Sequence, residues 1–369
     1  MNAGNWPSLA PLLGALAQPP ALSALAPAQW DLLVRQGRRA DVLARIGAAA
    51  LSAGRWDAVP SSARVHLGSA LKLAQRQHTE LRHEVQEVAR ALAPTGLPVV
   101  LLKGAAYVVQ DLPAAMGRMV SDLDILVPRD RLADVESALM MGGWVSTNRD
   151  AYDQRYYRSW MHELPPLEHM KRGTVLDVHH AIMPLTARLQ PDTGQLLQAS
   201  LAVGGREDIR VLCPADMVLH SATHLFHESE LELGLRGLVD LDALLRDFGR
   251  DATFWDVLQA RAVVHQLEWP MFLALRYCGM FLQTPTPPQF ASALLGAASR
   301  RRRPTPLSCM DALYLRALRP PHASANDAWT LPARWLLYLR GHWLRMPPAL
   351  LLWHLLRKLF TPLYAKTHP

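Results

Sequence analysis

Two aspartates, Asp122 and Asp124, have the spacing of a metal-binding pair. They stand two residues apart in an apolar run that ends at Val127. If this run is a β-strand, both carboxylates leave the same face, while Leu123 and Ile125 point into the core. Neighbouring acids on a buried strand repel each other and are costly to desolvate, so we expect a cation beside them. Mg²⁺ suits this position, because it takes oxygen ligands and commonly binds between protein carboxylates and substrate phosphates.

The segment before these aspartates predicts a phosphate-binding turn. Val99 to Leu102 is an apolar run of strand length, and Lys103-Gly104 interrupts it where the backbone can turn closely around a ligand. An ammonium group and open backbone N–H groups both favour phosphate. The stretch 99–127 therefore predicts a strand, a tight turn, a short helix, a loop and a second strand.

These residues resemble the nucleotidyltransferase superfamily of the DNA polymerase β type, and most closely the bacterial uncharacterised nucleotidyltransferases. The resemblance covers about residues 65–285. It is strongest over three matching pieces: Leu101 to Tyr107, Arg118, and Ser121 to Val127. In the superfamily a Gly-Ser turn precedes the Asp-x-Asp strand, and in this chain Lys103-Gly104 stands in its place.

A later segment supplies a third acid. Residues 170–173 predict a hairpin turn that leads into the strand Thr174 to His180, where Asp177 and His179 share one face. A lone acid in an apolar strand also suits an edge strand with one face in water. The resemblance places the family's third acid here, so we expect Asp122, Asp124 and Asp177 to bind two Mg²⁺ ions.

The resemblance implies an α+β fold with a small mixed β-sheet core flanked by N-terminal and C-terminal helical regions. It also implies a Mg²⁺-dependent nucleotidyltransferase that moves an NMP from an NTP to an unknown acceptor. The three aspartates would be catalytic, and the nucleotide would be bound by Lys103, Gly104, Arg118 and Ser121. Two alternatives stay open: a catalytically silent binding or regulatory module with the same fold, and metal-dependent phosphoester hydrolysis. Because clustered anions repel, replacing Asp122 or Asp124 by alanine is expected to leave thermal stability unchanged or raised.

A histidine-bearing helix is predicted from Pro214 to Glu228. His220, His224 and His227 lie on one of its faces. Three histidines can bind zinc, but side chains spread over two turns rarely converge on one ion, so contacts with substrate or with neighbouring helices are the alternative. We therefore expect substrate contacts from His179, His220 and His224.

A second Asp-x-Asp pair, Asp240 and Asp242, lies in a run with helical periodicity. Residues two apart on a helix diverge by about 200°, so this pair is not predicted to bind metal.

The 369-residue chain is half apolar and exceeds one typical domain. We expect an N-terminal helical region (1–93), a nucleotidyltransferase core (94–185), a helical lobe (186–285) and a basic, Trp-rich helical tail (286–369). Leu67 to Ala93 and Pro128 to Met141 predict helices, whereas Asp153 to His169 predicts strand and loop because Pro165-Pro166 would interrupt a helix.

The basic charge belongs to the tail. Residues 300–369 hold twelve Lys or Arg and two Asp, a net +10, which leaves −3 for the preceding residues because the whole chain carries +7. Tail helices that carry Trp335, Trp343, Trp353 and several arginines suit an anionic membrane surface. A helical hairpin packed on the body is the alternative. Nucleic acid is disfavoured, because apolar residues are too numerous for a solvated phosphate groove.

Cysteine usage and hydropathy bear on the compartment. Cys213, Cys278 and Cys309 lie far apart, which predicts neither a disulfide framework nor a zinc knuckle and suits a reducing compartment. Residues 1–30 lack the basic start of an export signal, and no apolar run reaches the length of a membrane-spanning helix. We expect a cytoplasmic protein, with a peripheral position on the inner face of the membrane as a further possibility.

Overall fold

The computed structural model describes residues 6–146, 150–227, 231–301 and 306–346, without the side chains of 151–153 and 301. A seven-stranded mixed sheet is flanked by helices, which confirms the predicted α+β class. The strands are β1 (Val99–Leu101), β2 (Asp122–Leu126), β3 (Trp144–Ser146), β4 (Leu167–His169), β5 (Val175–His179), β6 (Leu201–Val203) and β7 (Arg206–Val211).

Helices precede, connect and follow these strands. Before the sheet come α1 (Ala10–Ala17), α2 (Pro27–Arg39), α3 (Leu43–Ser52) and α4 (Ser61–Leu92). Between the strands lie α5 (Lys103–Val109), α6 (Leu132–Met141), α7 (Ala151–Trp160) and α8 (Thr193–Gln198). After β7 come α9 (Pro214–His227), α10 (Gly234–Phe248), α11 (Ala252–Val264), α12 (Glu268–Leu282), α13 (Pro288–Arg301), α14 (Leu307–Ala317) and α15 (Thr330–Arg345).

The order of strands in the sheet is β3-β4-β5-β2-β1-β7-β6. β2 runs parallel to β5 and β1 runs parallel to β7, whereas β1 and β2 are antiparallel. β5, β2 and β1 are therefore inner strands, and their mostly apolar sequences match burial on two faces. The candidate site lies on this central part of the sheet.

Apolar side chains of the N-terminal helices, the sheet and the later helices form one contiguous core. Leu33 of α2, Ile125 of β2 and Leu241 of α10 are fully buried members of it. The long helix α4 buries one face, which includes Val85, and its other face carries exposed polar groups. The boundaries of the four predicted regions remain a prediction, because this core runs through all of them in the part of the chain described.

Two segments differ from the predicted elements. Residues 186–285 were expected to be helical, yet β6 and β7 lie there, and β7 pairs with β1 inside the sheet. β7 begins with three charged residues, so its sequence lacks the apolar–polar alternation of a typical strand. Only Ile209 and Val211 show that alternation, and both are buried. The sheet therefore extends beyond residue 185.

The second difference is the helix α7, which replaces the first part of the predicted strand and loop at 153–169. Aromatic rings four residues apart support this helix, since Tyr156 and Trp160 are in edge contact at 5.8 Å between centroids. Pro165-Pro166 follow the helix and precede β4, so they do not interrupt it.

Two tail helices pack on each other among the described residues, and one of them, α15, carries Trp335 and Trp343 of the predicted pair. α14 and α15 pack on each other, and Arg340 on α15 donates to the carbonyl oxygen of Phe226 at 3.1 Å, which joins the pair to the body. Among the described residues, no helix is both long and apolar enough to cross a membrane. Trp353 and the residues after it lie outside the described part of the chain.

Candidate active site

β2 and β5 bring the predicted carboxylates together. The parallel register places Asp124 beside Asp177 and Asp122 beside Val175. Neighbouring strands are about 4.8 Å apart, so the two paired side chains leave adjacent points on one face of the sheet. Leu123 and Ile125 are buried on the opposite face, as the alternation predicted. The three aspartates therefore converge at one place.

Asp124 is buried and already paired. Its Oδ1 accepts hydrogen bonds from Nζ of Lys103 at 2.8 Å and from Nε2 of His179 at 2.9 Å. Burial alone would raise the pKa of Asp124, but the Lys103 ammonium and the His179 ring lower it well below its ordinary value. Asp124 is therefore an anion at all physiological pH values, and Lys103 balances its charge.

Asp177 has the opposite electrostatics. Burial, followed by the nearby carboxylates of Asp124 and Glu163, raises the pKa of Asp177 to about 7. Its Oδ1 is buried without a hydrogen-bond partner. A buried carboxylate oxygen without a hydrogen-bond partner needs a proton or a cation to satisfy it. The donor set of Asp122, Asp124 and Asp177 therefore fits a hard divalent cation such as Mg²⁺.

A cavity of about 320 Å³ opens in front of β2. Its floor includes Asp122, Asp124, Lys103 and Gly104. Its opposite wall comes from α9, α10 and the two residues before α10, with Ser221, His224 and six of the residues between 232 and 240. The predicted helical lobe thus covers the sheet at the site. The volume lies at the lower end of the range for small-molecule sites.

Four predicted residues, Asp177, Ser121, His179 and His220, are not part of the cavity lining. Asp177 is set beside Asp124 in the sheet, and Ser121 is exposed at the edge, where its Oγ donates to Oδ1 of Asp122 at 3.3 Å. Ser121 is therefore placed to orient Asp122.

Arg118 reaches the cavity wall, but its guanidinium is held by protein. Its Nε donates to Oδ2 of Asp240 at 2.8 Å, while Nη2 of Arg45 donates to Oδ1 of the same carboxylate at 2.7 Å. All three residues are buried. Arg118, which was predicted to bind the nucleotide, is thus part of a buried ion-pair triad.

Both residues of the Lys103-Gly104 turn have structural roles. Lys103 has a φ of 45°, a conformation that non-glycine residues rarely adopt, and its ammonium reaches Asp124. A Cβ at Gly104 would lie 2.1 Å from Nη1 of Arg118. Gly104 therefore admits the Arg118 guanidinium, in addition to lining the cavity.

The histidines of α9 divide between two surroundings. Burial, then the Lys103 and His224 charges, lower the pKa of His220 well below its ordinary value, so its ring is neutral beside the site. His224 lines the cavity, and its ring lies 6.3 Å from that of His220. His227 instead lies near Arg340 and Arg345 of α15. His220 and His224 therefore lie at the site, whereas His227 lies at the contact with the tail.

The second Asp-x-Asp pair behaves as predicted for a helix. Asp240 faces Arg118, whereas Oδ1 of Asp242 accepts from Arg246 at 2.7 Å and Thr284 at 2.6 Å. The two carboxylates point to different partners and form no metal pair.

Sequence reasoning missed two functional candidates, His162 and Glu163. The backbone of this segment runs alongside β5, since Glu163 forms an antiparallel bridge with His179 and the carbonyl oxygen of His162 accepts from the backbone of His180 at 2.8 Å. Nδ1 of His179 lies 3.4 Å from Oε2 of Glu163. In the sequence the two residues form a His-Glu pair shortly before two prolines, a combination too common to indicate a metal site by itself.

Comparison with known proteins gives one match. A family model described as uncharacterised nucleotidyltransferase matches residues 26–283. The match begins at α2, well before residue 65 where the resemblance was expected to start, so it includes the helix that carries Arg45. No curated protein and no solved structure matches the chain.

Proposed function

Because the chain belongs to the family of uncharacterised nucleotidyltransferases, we propose that it transfers an NMP from an NTP to an acceptor at the Asp122–Asp124–Asp177 site. The observation that carries this proposal is the register of β2 and β5, which sets Asp124 beside Asp177 on the cavity side of the sheet. Three carboxylates, one of them with a partnerless buried oxygen, are the donor set that such a transfer requires.

The carboxylates would hold two Mg²⁺ ions, whose chemistry is to activate the attacking oxygen and to neutralise charge on the leaving pyrophosphate. Lys103 keeps Asp124 ionised and presents an ammonium at the cavity floor, where a phosphate would meet it. Arg118 strengthens the positive potential of the same wall from its fixed place on Asp240. His224 lines the side from which a nucleotide or acceptor would approach, and His220 is buried behind it.

The main alternative is a module that retains the fold and binds without turnover. The intact set of three acids favours the enzyme, because a non-catalytic protein has no need to keep like charges together in a buried place. Phosphoester hydrolysis at the same carboxylates is a further alternative, and it would release a product without labelling an acceptor.

The proposal is tested by labelling. The full-length protein is incubated with each of the four α-labelled NTPs, Mg²⁺ and fractionated cell extract, and transfer of label to an extract component is measured. We expect label from at least one NTP. Asp124→Asn and Asp177→Asn should each reduce the rate of label transfer by more than about 100-fold. Removal of a residue that only supports a metal ligand typically costs roughly 10–100-fold.

The matched control is Asp242→Asn, which changes a buried aspartate outside the cavity and should keep transfer. Calorimetric titration of the NTPs with Mg²⁺ separates the alternatives. Nucleotide binding without label transfer would favour the silent module, and release of free NMP would favour hydrolysis. Equal transfer by the wild type and both site variants would refute the proposal.

A further inference from the structure

We propose that His162, Glu163 and His179 form a second metal site, selective for a zinc-class ion over Mg²⁺, at the inner edge of the aspartate cluster. This proposal goes beyond nucleotide transfer and does not depend on it. The ligand atoms of the three side chains all lie within 4.8 Å of one another. The ion would be separate from the two Mg²⁺ ions proposed for the aspartates.

The hydrogen bonding of His179 defines which of its nitrogens is free to bind. A carboxylate only accepts, so Nε2 of His179 must donate to Oδ1 of Asp124 across their 2.9 Å contact. In a neutral imidazole this leaves a lone pair on Nδ1. That atom is directed at Oε2 of Glu163, 3.4 Å away, which is another acceptor. Two acceptors that face each other need either a metal cation or a second ring proton between them, and the experiment below distinguishes the two.

Unpartnered polar atoms concentrate at this place. Nδ1 of His179, Nδ1 of His162 and Oδ1 of Asp177 are all buried without a hydrogen-bond partner, and the side chain of His179 is 2% exposed. Buried polar groups are almost always satisfied, so the unpartnered Nδ1 of His179 indicates a missing group beside Glu163. The unpartnered Oδ1 of Asp177 belongs to the aspartate site, and the His162 nitrogen that faces Glu163 is Nε2.

The distances suit zinc. Ligand atoms held about 2.0–2.1 Å from a tetrahedral ion lie about 3.4 Å from each other. Oε2 of Glu163 is 3.4 Å from Nδ1 of His179 and 4.0 Å from Nε2 of His162, so small side-chain shifts would close the set. Two imidazoles and one carboxylate select a zinc-class ion, since Mg²⁺ prefers oxygen ligands alone.

Asp124 would act as the outer partner of this site. A histidine that binds a metal usually donates its other N–H to a carboxylate, which fixes the ring and its tautomer. The Asp124–His179 hydrogen bond has this arrangement. The ion would thereby fix the orientation of Asp124, so it would position a residue of the proposed transferase site without contacting the nucleotide.

The experiment is calorimetric titration of the chelator-stripped, full-length protein with Zn²⁺ in a buffer that contains excess Mg²⁺ and no nucleotide. We expect a single Zn²⁺ per chain. His162→Gln and Glu163→Gln should weaken binding by more than about 100-fold, the upper end of what loss of an outer-shell partner costs. His180→Gln, which changes the neighbouring histidine outside the cluster, is the matched control and should bind as the wild type does.

Two further measurements on the wild type test the site even if the variants fold poorly. Zn²⁺ should raise the melting temperature of the wild type, as any ligand specific to the folded state does, and Co²⁺ substitution should give the visible absorption of a low-coordinate site. Absence of Zn²⁺ binding by the wild type, with NMR showing a doubly protonated His179 between Asp124 and Glu163, would overturn the proposal. So would wild-type affinity in Glu163→Gln. Because no nucleotide is present, failure of nucleotide transfer would leave this result unaffected.

Discussion

At the scale of residues, the neighbouring Asp124 and Asp177 are held in different charge states. Asp124 has two hydrogen-bond donors on one oxygen and stays ionised, whereas Asp177 has a partnerless oxygen and a pKa of about 7. We therefore expect replacement of Asp177, rather than of Asp124, to relieve charge repulsion in the folded state. Removing the Asp124 carboxylate would instead leave Lys103 and His179 without their acceptor.

The raised pKa of Asp177 predicts a pH-dependent stability. The folded state favours the protonated carboxyl, so its stabilising contribution is complete below the ordinary pKa of 3.8 and is lost as the pH rises through about 7. Asp177→Asn stays neutral, and in metal-free buffer it should be more stable than the wild type at pH 8, on the order of 2–4 kcal/mol. The difference should shrink towards pH 4.

Urea unfolding of both proteins at pH 5 and pH 8, with chelator present, measures this effect. Asp57→Asn, at a fully exposed carboxylate, is the control for a charge change in general. A difference in stability between wild type and Asp177→Asn that is the same at both pH values would contradict the assigned environment of Asp177.

At the scale of elements, the Arg45–Asp240–Arg118 triad joins three parts of the fold. Arg45 lies on α3, Arg118 lies in the loop before β2, and Asp240 lies on α10. Arg45 also donates to the carbonyl oxygen of Ala114 at 2.6 Å, so it fixes the loop as well. This triad ties the N-terminal helices and the helical lobe to the cavity wall, and all three of its residues lie within the family match.

The triad predicts a large loss of stability in Asp240→Ala. Two buried guanidinium groups would lose their counter-ion, and breaking a buried ion pair from one side costs about 3–5 kcal/mol. The control is Asp31→Ala, which breaks the exposed pair with Arg35 and should cost less than about 1 kcal/mol. Chemical denaturation of the two variants measures both values, and losses of equal size would show that the triad adds no stability.

At the scale of the whole molecule, one apolar surface is left without a partner among the described residues. The outer face of the tail exposes large side chains around α15, with exposed fractions of 68% for Trp329, 77% for Leu331 and 60% for Trp335. The inner face of the same helix packs on the body through Arg340. Among the described residues of the tail, α14 and α15 therefore form a packed pair, and we propose that the outer face of α15 contacts an anionic lipid surface, given the net +10 of residues 300–369.

Vesicle flotation tests this proposal. The full-length protein should float with vesicles that contain anionic lipid and much less with neutral ones, and raised salt should weaken binding because the attraction is partly electrostatic. Trp335→Ala should reduce the bound fraction severalfold, since one aromatic anchor is lost. Met141→Ala, at an exposed apolar residue far along the chain from the tail, is the control. Equal binding to neutral vesicles, or dimerisation through this face, would overturn the proposal.

The sequence by itself determined the local parts of this protein. Alternation along β2 and β5, the helical periodicity of α9 and α10 and the spacing of Asp122 and Asp124 depend only on residues near each other in the chain, so they could be predicted. The tertiary structure decided what depends on distant segments: the pairing of β7 with β1, the capture of Arg118 by Asp240, and the approach of Glu163 to His179. Asp177 acquires its unusual pKa for the same reason, because burial and neighbouring charge arise only when separate strands pack together.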